Sequence, residues 1–298
     1  AATLSWPLAT MAAVLLGIAA AARCALPPFS GWLLSSMTAP TPVSALMHAG
    51  LVNAGGFLLI RMAPVLEAAP AARLAAVGLG LGGALYGIGI MLVRPDVKRS
   101  LAGSTVSQMG FMIMSCGLGA YAAALWHIVA HGLFKAWLFL GSGSTIGMKP
   151  ATPAGQLSRP LSLAVAGVTA GAALALVASG KAEPSLVPLL LGAVTAMATL
   201  ASCFAGKAPV RTRIALLAGI AVLVAFHGLG LALSERAVAG DAPALVPGWA
   251  LLVLLGAFLG LWLWQQQRLA AGRGLPLPLY VHFINAGALH PLVKGDDK

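Results

Sequence analysis

Acidic side chains are scarce in this chain. Asp and Glu together number 7 among 298 residues, and charged residues of all types make up only 8%. A soluble domain carries about 25% charged residues. So few charges cannot solvate the surface of a 30.0 kDa globule. Cysteine is also sparse. Cys24, Cys116 and Cys203 are odd in number, far apart and without CxxC spacing. That pattern points neither to a disulfide framework nor to a zinc site, and it leaves small apolar packing as their expected role. Three such cysteines cannot bind an iron–sulfur cluster, and haem would need axial ligands at matching depth. No P-loop is present, so no cofactor is expected, and energy has to come from an ion gradient or from partner subunits.

Apolar residues fill the space these absences leave, at 59% of the chain. The net charge of +11 raises the question of nucleic acid. The 18 basic residues, however, sit singly or in small groups between long apolar runs, with no stripe or Arg-rich arm. Nucleic acid is therefore set aside as a partner, and the lipid bilayer is the expected solvent. A membrane helix needs about 20 apolar residues. Nine stretches qualify, at 4–22, 41–62, 71–93, 97–118, 121–147, 161–179, 186–205, 213–233 and 248–264. A shorter apolar stretch, 28–37, is too short to cross. The expected fold class is all-α: a polytopic membrane helix bundle of about nine transmembrane helices with at least one broken helix. It divides into a transmembrane domain, 1–264, and a basic cytoplasmic tail, 265–298.

Loop charges give the direction. Arg94, Lys98, Arg99, Lys149, Arg159, Lys207, Arg211, Arg213, Arg268 and Arg273 fall on one side, which is nearly free of acids. Arg61, Glu67, Arg73, Lys181, Glu183, Glu235, Arg236 and Asp241 fall on the other. The positive-inside rule makes the first side cytoplasmic, together with the C-terminus, as expected of a multi-pass protein of a bacterial inner membrane. The chain opens on Ala1-Ala2-Thr3, and its first apolar run lacks the basic flank of a signal peptide. It is expected to be a piece whose N-terminal part is absent. Near the other end, Leu279–Leu292 reads as a short amphipathic stretch with His282, Asn285 and His290. It could lie on the membrane, dock a partner or form a disordered end.

Several residues sit where apolar packing does not explain them. In Arg23-Cys24-Ala25-Leu26-Pro27-Pro28-Phe29-Ser30-Gly31-Trp32, Pro27 and Pro28 interrupt an apolar region. Broken backbone at membrane depth survives inside protein or beside a wet cavity, and broken helices beside charge mark ion paths. Alternatively, Arg23 ends a helix and snorkels to the interface. In Thr41-Pro42-Val43-Ser44-Ala45-Leu46-Met47-His48, Thr41 suits an N-cap and Pro42 the first helical position. His48 then lies about 10 Å into the helix, with Asn53 further along it. A lone histidine there would be a hydrogen-bonded core residue. His127, His131 and Lys135 are spaced four apart, which puts them on one helix face.

A central charged residue costs about 2.5–3.5 kcal/mol to insert, and such residues line polar paths. Imidazole exchanges protons near neutral pH, and a lysine in a dry site can titrate in the working range. Together they make a proton relay. The rival is a zinc site at His-x-x-x-His, which lacks a further ligand because all seven acids map to loops or the tail. Lys98 opens a helix carrying Ser104, Thr105, Ser107 and Gln108, groups that order water or bond across helices. It reads equally as a snorkelling base at a capped helix end. Lys181 lies near the outer surface, as a path residue or an ordinary loop lysine, and His227 reads as a packed core histidine.

Three segments, Pro40–Ala49, Asp96–Gly110 and His127–Ala136, come in one order and together resemble the NADH:quinone oxidoreductase/Mrp antiporter membrane family, complex I subunit L among its members. The resemblance is dense over 20–147 and thin afterwards. It implies a helix broken at Pro27-Pro28, a central polar axis of His48, Lys98, His127, His131 and Lys135, and an exit at Lys181. Arg23 stands where the family usually has a proton-path lysine. Arginine hardly deprotonates, so Arg23 would act as a fixed charge. Arg23-Cys24-Ala25, His48–Gly56, the short tail Leu279–Asn285 and the absence of a long lateral helix resemble the DabB-type branch. That branch implies inorganic-carbon (CO2/bicarbonate) uptake driven by a proton or Na+ gradient, with a large cytoplasmic zinc-binding partner of the DabA type that resembles carbonic anhydrase. The alternatives are a proton-pumping subunit among other complex I or Mrp subunits, and a non-conducting membrane scaffold. In each case the chain has no active site of its own. It would be part of a translocase enzyme only within complex I.

Overall fold

A computed structural model describes residues 6–145, 157–205, 209–238 and 244–286. Among them every regular element is helical. In chain order they are α1 (Trp6–Arg23), α2 (Gly31–Ser35), α3 (Thr41–Ala49), α4 (Ala54–Arg61), α5 (Ala63–Glu67), α6 (Pro70–Val93), α7 (Val97–Leu118), α8 (Tyr121–Gly141), α9 (Arg159–Ala178), α10 (Leu186–Ala205), α11 (Val210–Ala237), α12 (Gly248–Ala270) and α13 (Leu277–Ile284). Each of the nine expected stretches is mostly helical in its described part. Among the described residues six spans are long and apolar enough to cross a membrane: Thr41–Arg61, Pro70–Val93, Tyr121–Ser144, Arg159–Ala178, Val210–Ala237 and Gly248–Ala270. Helices Pro7–Arg23 and Leu186–Ala201 are apolar but shorter. α7 has the length, 22 residues, but its first half is too polar to count.

The chain forms two compact units. The first holds α1–α8 and α13. Its most extensive helix pair is α6 on α7. Glycine brings the two backbones into contact. A Cβ on Gly80 would strike the backbone of Met114 and Gly110, and one on Gly87 would strike Ser107 and Gly103. Close approach through small residues is how membrane helices associate where lipid offers no hydrophobic drive.

The ends of α7 are closed by side chains. At its start the Asp96 carboxylate accepts from the Arg99 backbone N–H at 2.8 Å. At its end Gly119 takes a left-handed conformation, φ 94°. There Arg73 donates from Nε to the Gly117 carbonyl at 3.1 Å and from Nη2 to the Leu118 carbonyl at 2.9 Å. Arg73, expected in a loop, lies in the first turn of α6 and is 2% exposed, because unsatisfied helix-end carbonyls hold its guanidinium inside. Two acids also depart from their expected loops: Glu67 closes α5 and Glu235 lies in the last turn of α11.

Two spans of the first unit are interrupted. Helix stops at Arg23 and resumes at Gly31, with Ala25 at φ 52° between them. Leu26, inside this break, is fully buried and packs over Gly83. Cys24 is buried too, its thiol donating to the Val52 carbonyl at 3.3 Å, and Cys116 is buried and free. The Cys203 side chain lies outside the described residues. Thr41–Arg61 also breaks, at Gly50, where a short 3-10 turn, Leu51–Asn53, joins α3 to α4. Pro40 occupies the cap, in place of the expected Thr41, and Pro42 takes the second helical position, so the helix starts one residue earlier than expected.

The described part of the tail is folded. Phe283 of α13 sits over Gly89 of α6, and Arg94 donates to the Ala286 carbonyl at 2.7 Å. This corrects the disordered-end alternative for Leu277–Ile284, since a glycine seat and a free carbonyl reward its ordering. His290 lies outside the described residues. In the second unit α9, α10 and α12 share an apolar core of Val165, Ala166, Ala173, Val194, Leu255 and Leu259. α12 runs past the expected end of the span, to Ala270. His227 is exposed on α11 rather than packed in a core, because α11 leaves nearly all its surface outward, as a lipid-facing helix does.

Gly110→Leu is expected to force α6 and α7 apart, at a cost of about 1–3 kcal/mol or more. A thermal melt in detergent checks this: a melting temperature equal to that of the unaltered protein would show that the backbone contact is dispensable.

Candidate functional site

The site is built on α8. Its His127, His131 and Lys135 follow one another at four-residue spacing, so their side chains climb one face. The rings of His127 and His131 are nearly parallel, with centroids 5.7 Å apart and an interplanar angle of 16°. Phe111 of α7 lies 5.6 Å from the His127 ring. Lys135 is 1% exposed. Its Nζ donates to Ser104 Oγ at 2.8 Å and to the Leu101 carbonyl at 3.3 Å, both on α7. Thr105 Oγ1 donates to that same carbonyl at 3.0 Å. The polar first half of α7 therefore serves to receive the amine.

From the other flank α3 contributes His48, which is 0% exposed. Its ring stacks on Phe139 of α8 at 4.3 Å and 18°. Lys135 is the cationic neighbour of both His48 and His131. Neither nitrogen of the His48 ring, nor of the His131 ring, meets a protein hydrogen-bond partner. Buried polar atoms are nearly always hydrogen-bonded, to protein or to ordered water. Four such nitrogens beside one buried amine mark a place built for water.

Lys98 lies toward the basic ends of the same helices, its Nζ donating to the Ala39 carbonyl at 2.9 Å. Beside it a cavity of about 620 Å3 is lined by Thr38, Thr41, Asp96, Lys98, Arg99 and Ser142 among others. The C-terminal end of α8 and the N-terminal end of α7 thus share one mouth. Of the residues singled out in the sequence, the structure gathers His48, His127, His131 and Lys135, with Lys98 at the mouth. Arg23 is exposed at the end of α1, and Pro27 and Pro28 lie in the break beyond it. Lys181 belongs to the second unit, where it is exposed just after α9, behind Gly180 at φ 72°. Among the described residues no three His, Cys, Asp or Glu side chains come together as a metal site would require.

Reading the sequence placed Ser104 among the groups that order water or bond across helices, without naming its partner. It assigned no role to Phe139 or Asn53 and did not foresee the break at Gly50, whose signal lay in the cluster Gly50, Gly55 and Gly56.

Residues 1–221 match the family profile described as NADH:quinone oxidoreductase/Mrp antiporter, TM. The chain belongs to that family. With its apolar spans, this makes it a multi-pass membrane protein. A relative in this antiporter family, "Probable inorganic carbon transporter subunit DabB1" from Halothiobacillus neapolitanus, is 51% identical over 140 residues, covering 47% of this chain and 25% of that protein. NADH-quinone oxidoreductase subunit L of Mycobacterium tuberculosis is 46% identical over 140 residues, covering 46% of this chain and 22% of that protein. The solved Mrp complex from Dietzia sp. DQ12-45-1b aligns with a TM-score of 0.52 and 27% identity, over 86% of this chain and 34% of that one. The chain spans about a quarter of the length of the curated relatives it matches.

Burial separates the lysines chemically. A water-soluble acylating reagent is expected to label Lys181 quickly and Lys135 slowly in the folded protein, read by peptide mass spectrometry. Equal labelling would place the Lys135 amine in bulk water.

Proposed function

We propose that the full-length protein containing this chain is a membrane subunit that conducts protons, or Na+, down their gradient along the His48, His127, His131 and Lys135 seam. The observation that carries this reading is the pair of buried imidazoles, His48 and His131, whose ring nitrogens meet no protein partner, around one buried amine. Imidazole takes up and releases protons near neutral pH, and ionisable groups are kept inside a membrane bundle for ion paths. Lys98 and the cavity beside it form the entrance from the basic side, which is cytoplasmic by the positive-inside rule and carries the C-terminus. Arg23 acts as a fixed charge, and Lys181 takes the role of the exit lysine that the family resemblance implies.

The gradient energises uptake of inorganic carbon. The support is the 51% identity to DabB1 over 140 residues of this chain. The partner is a large cytoplasmic zinc-binding subunit of the DabA type, which traps incoming CO2 as bicarbonate. A second reading, as an antiporter-like subunit of complex I or an Mrp-type antiporter, draws on the likeness to subunit L and to the Mrp complex. Co-purification separates them: one large zinc protein supports the first, peripheral redox or Mrp subunits the second.

Lys135→Ala and His131→Ala are each expected to abolish gradient-dependent uptake in the full-length protein while assembly with its partners survives. Unchanged uptake in both variants would leave a non-conducting scaffold as the role of this subunit.

A further inference from the structure

Asn53 stands where the broken span meets α8, and nothing in the relay described so far uses it. It is 6% exposed. Its Nδ2 donates to the Ala49 carbonyl at 2.7 Å, on the last turn before the break, and also reaches the Ile128 carbonyl on α8 at 3.5 Å. Gly132 faces the same spot. A Cβ there would lie 3.0 Å from the Ala49 carbonyl oxygen and 3.7 Å from Asn53 Nδ2. Ile128 follows His127 and Gly132 follows His131, so the amide is seated against the turn that joins the two stacked rings. The bond to Ala49 could be read as a local cap. It leaves unexplained both the second reach, across to α8, and the other half of the amide: Oδ1 is buried and meets no protein donor. A buried acceptor is costly unless something donates to it, and a site with several convergent polar groups is where a buried water is held.

We propose that Asn53 is a positioning residue of the seam: its Nδ2 ties the Gly50–Asn53 break to α8, and its Oδ1 holds a water that passes protons between His48, just before the break, and the His127–His131 pair. The amide itself changes no protonation state. The water accepts a proton from one neighbour as it releases another, so charge balances at each transfer. This rests on the proton-path reading above.

The experiment uses the full-length protein with its co-purifying subunits, reconstituted in liposomes, with proton flux read by an internal pH dye under an imposed gradient. Three variants are compared with the unaltered protein: N53L, N53D and K135A. N53L, similar in size but without donor or acceptor, is expected to lower flux by about tenfold or more, since small misplacements in a relay are amplified. N53D keeps an acceptor in place and adds a titratable group. It is expected to keep most of the flux and to move the pH of half-maximal flux. Flux in N53L equal to the unaltered protein overturns the proposal. So does N53D as inactive as N53L, which would assign Asn53 to packing alone. Should N53L fail to assemble, N53D decides: retained flux with a moved midpoint supports the role, and lost flux or an unmoved midpoint overturns it. K135A keeps the two readings apart. A silent K135A beside a fully conducting N53L sinks only the Asn53 inference, while a fully conducting K135A sinks the path itself.

Discussion

An amine that is 1% exposed inside an apolar bundle has to be held by something, and the Lys135 ammonium is held by α7. A buried charge is tolerated only when hydrogen bonds replace its water. Ser104 Oγ and the Leu101 carbonyl do so. The Leu101 carbonyl accepts from both Lys135 Nζ and Thr105 Oγ1. This contact fixes how α8 is rotated against α7, and with it which face His127 and His131 present. His48 then completes the group by stacking on Phe139, one turn beyond Lys135 on α8.

Helix ends matter as much as helix faces here. In lipid, an unsatisfied carbonyl or N–H costs far more than at a wet surface. The chain answers with side chains at four such points: Asp96 at the start of α7, Arg73 at its end, Asn53 at the break in the Thr41–Arg61 span, and Arg94 on the Ala286 carbonyl. Three of these four are charged. Three of the chain's few charged side chains are therefore spent on closing backbone.

The contrast between legible and hidden features follows from the range of the interaction. Four-residue spacing on one helix is a local property, so the His127, His131 and Lys135 face could be read directly from the sequence. Pro27 and Pro28 announced a break because proline carries its own steric signature. The break after Ala49 had no proline and was hidden inside an apolar run whose composition still satisfied a straight span. Arg73 read as a loop charge because its partners, Gly117 and Leu118, lie more than forty residues away, in a different helix. The stacking of His48 on Phe139 is likewise a contact across more than ninety positions that no local pattern encodes. His227 was misjudged for another reason: burial depends on which helix faces neighbours, and α11 turns almost none of itself inward.

The glycine contact between α6 and α7 has a mechanical side. Two rods that touch backbone to backbone have no compliant layer of side chains between them, so neither can slide or roll without atoms colliding. Such a pair behaves as a stator. Any displacement during a transport cycle then falls on the jointed members, the span interrupted at Cys24–Ser30, where Leu26 packs over Gly83 of this rail, and the span interrupted at Gly50–Asn53.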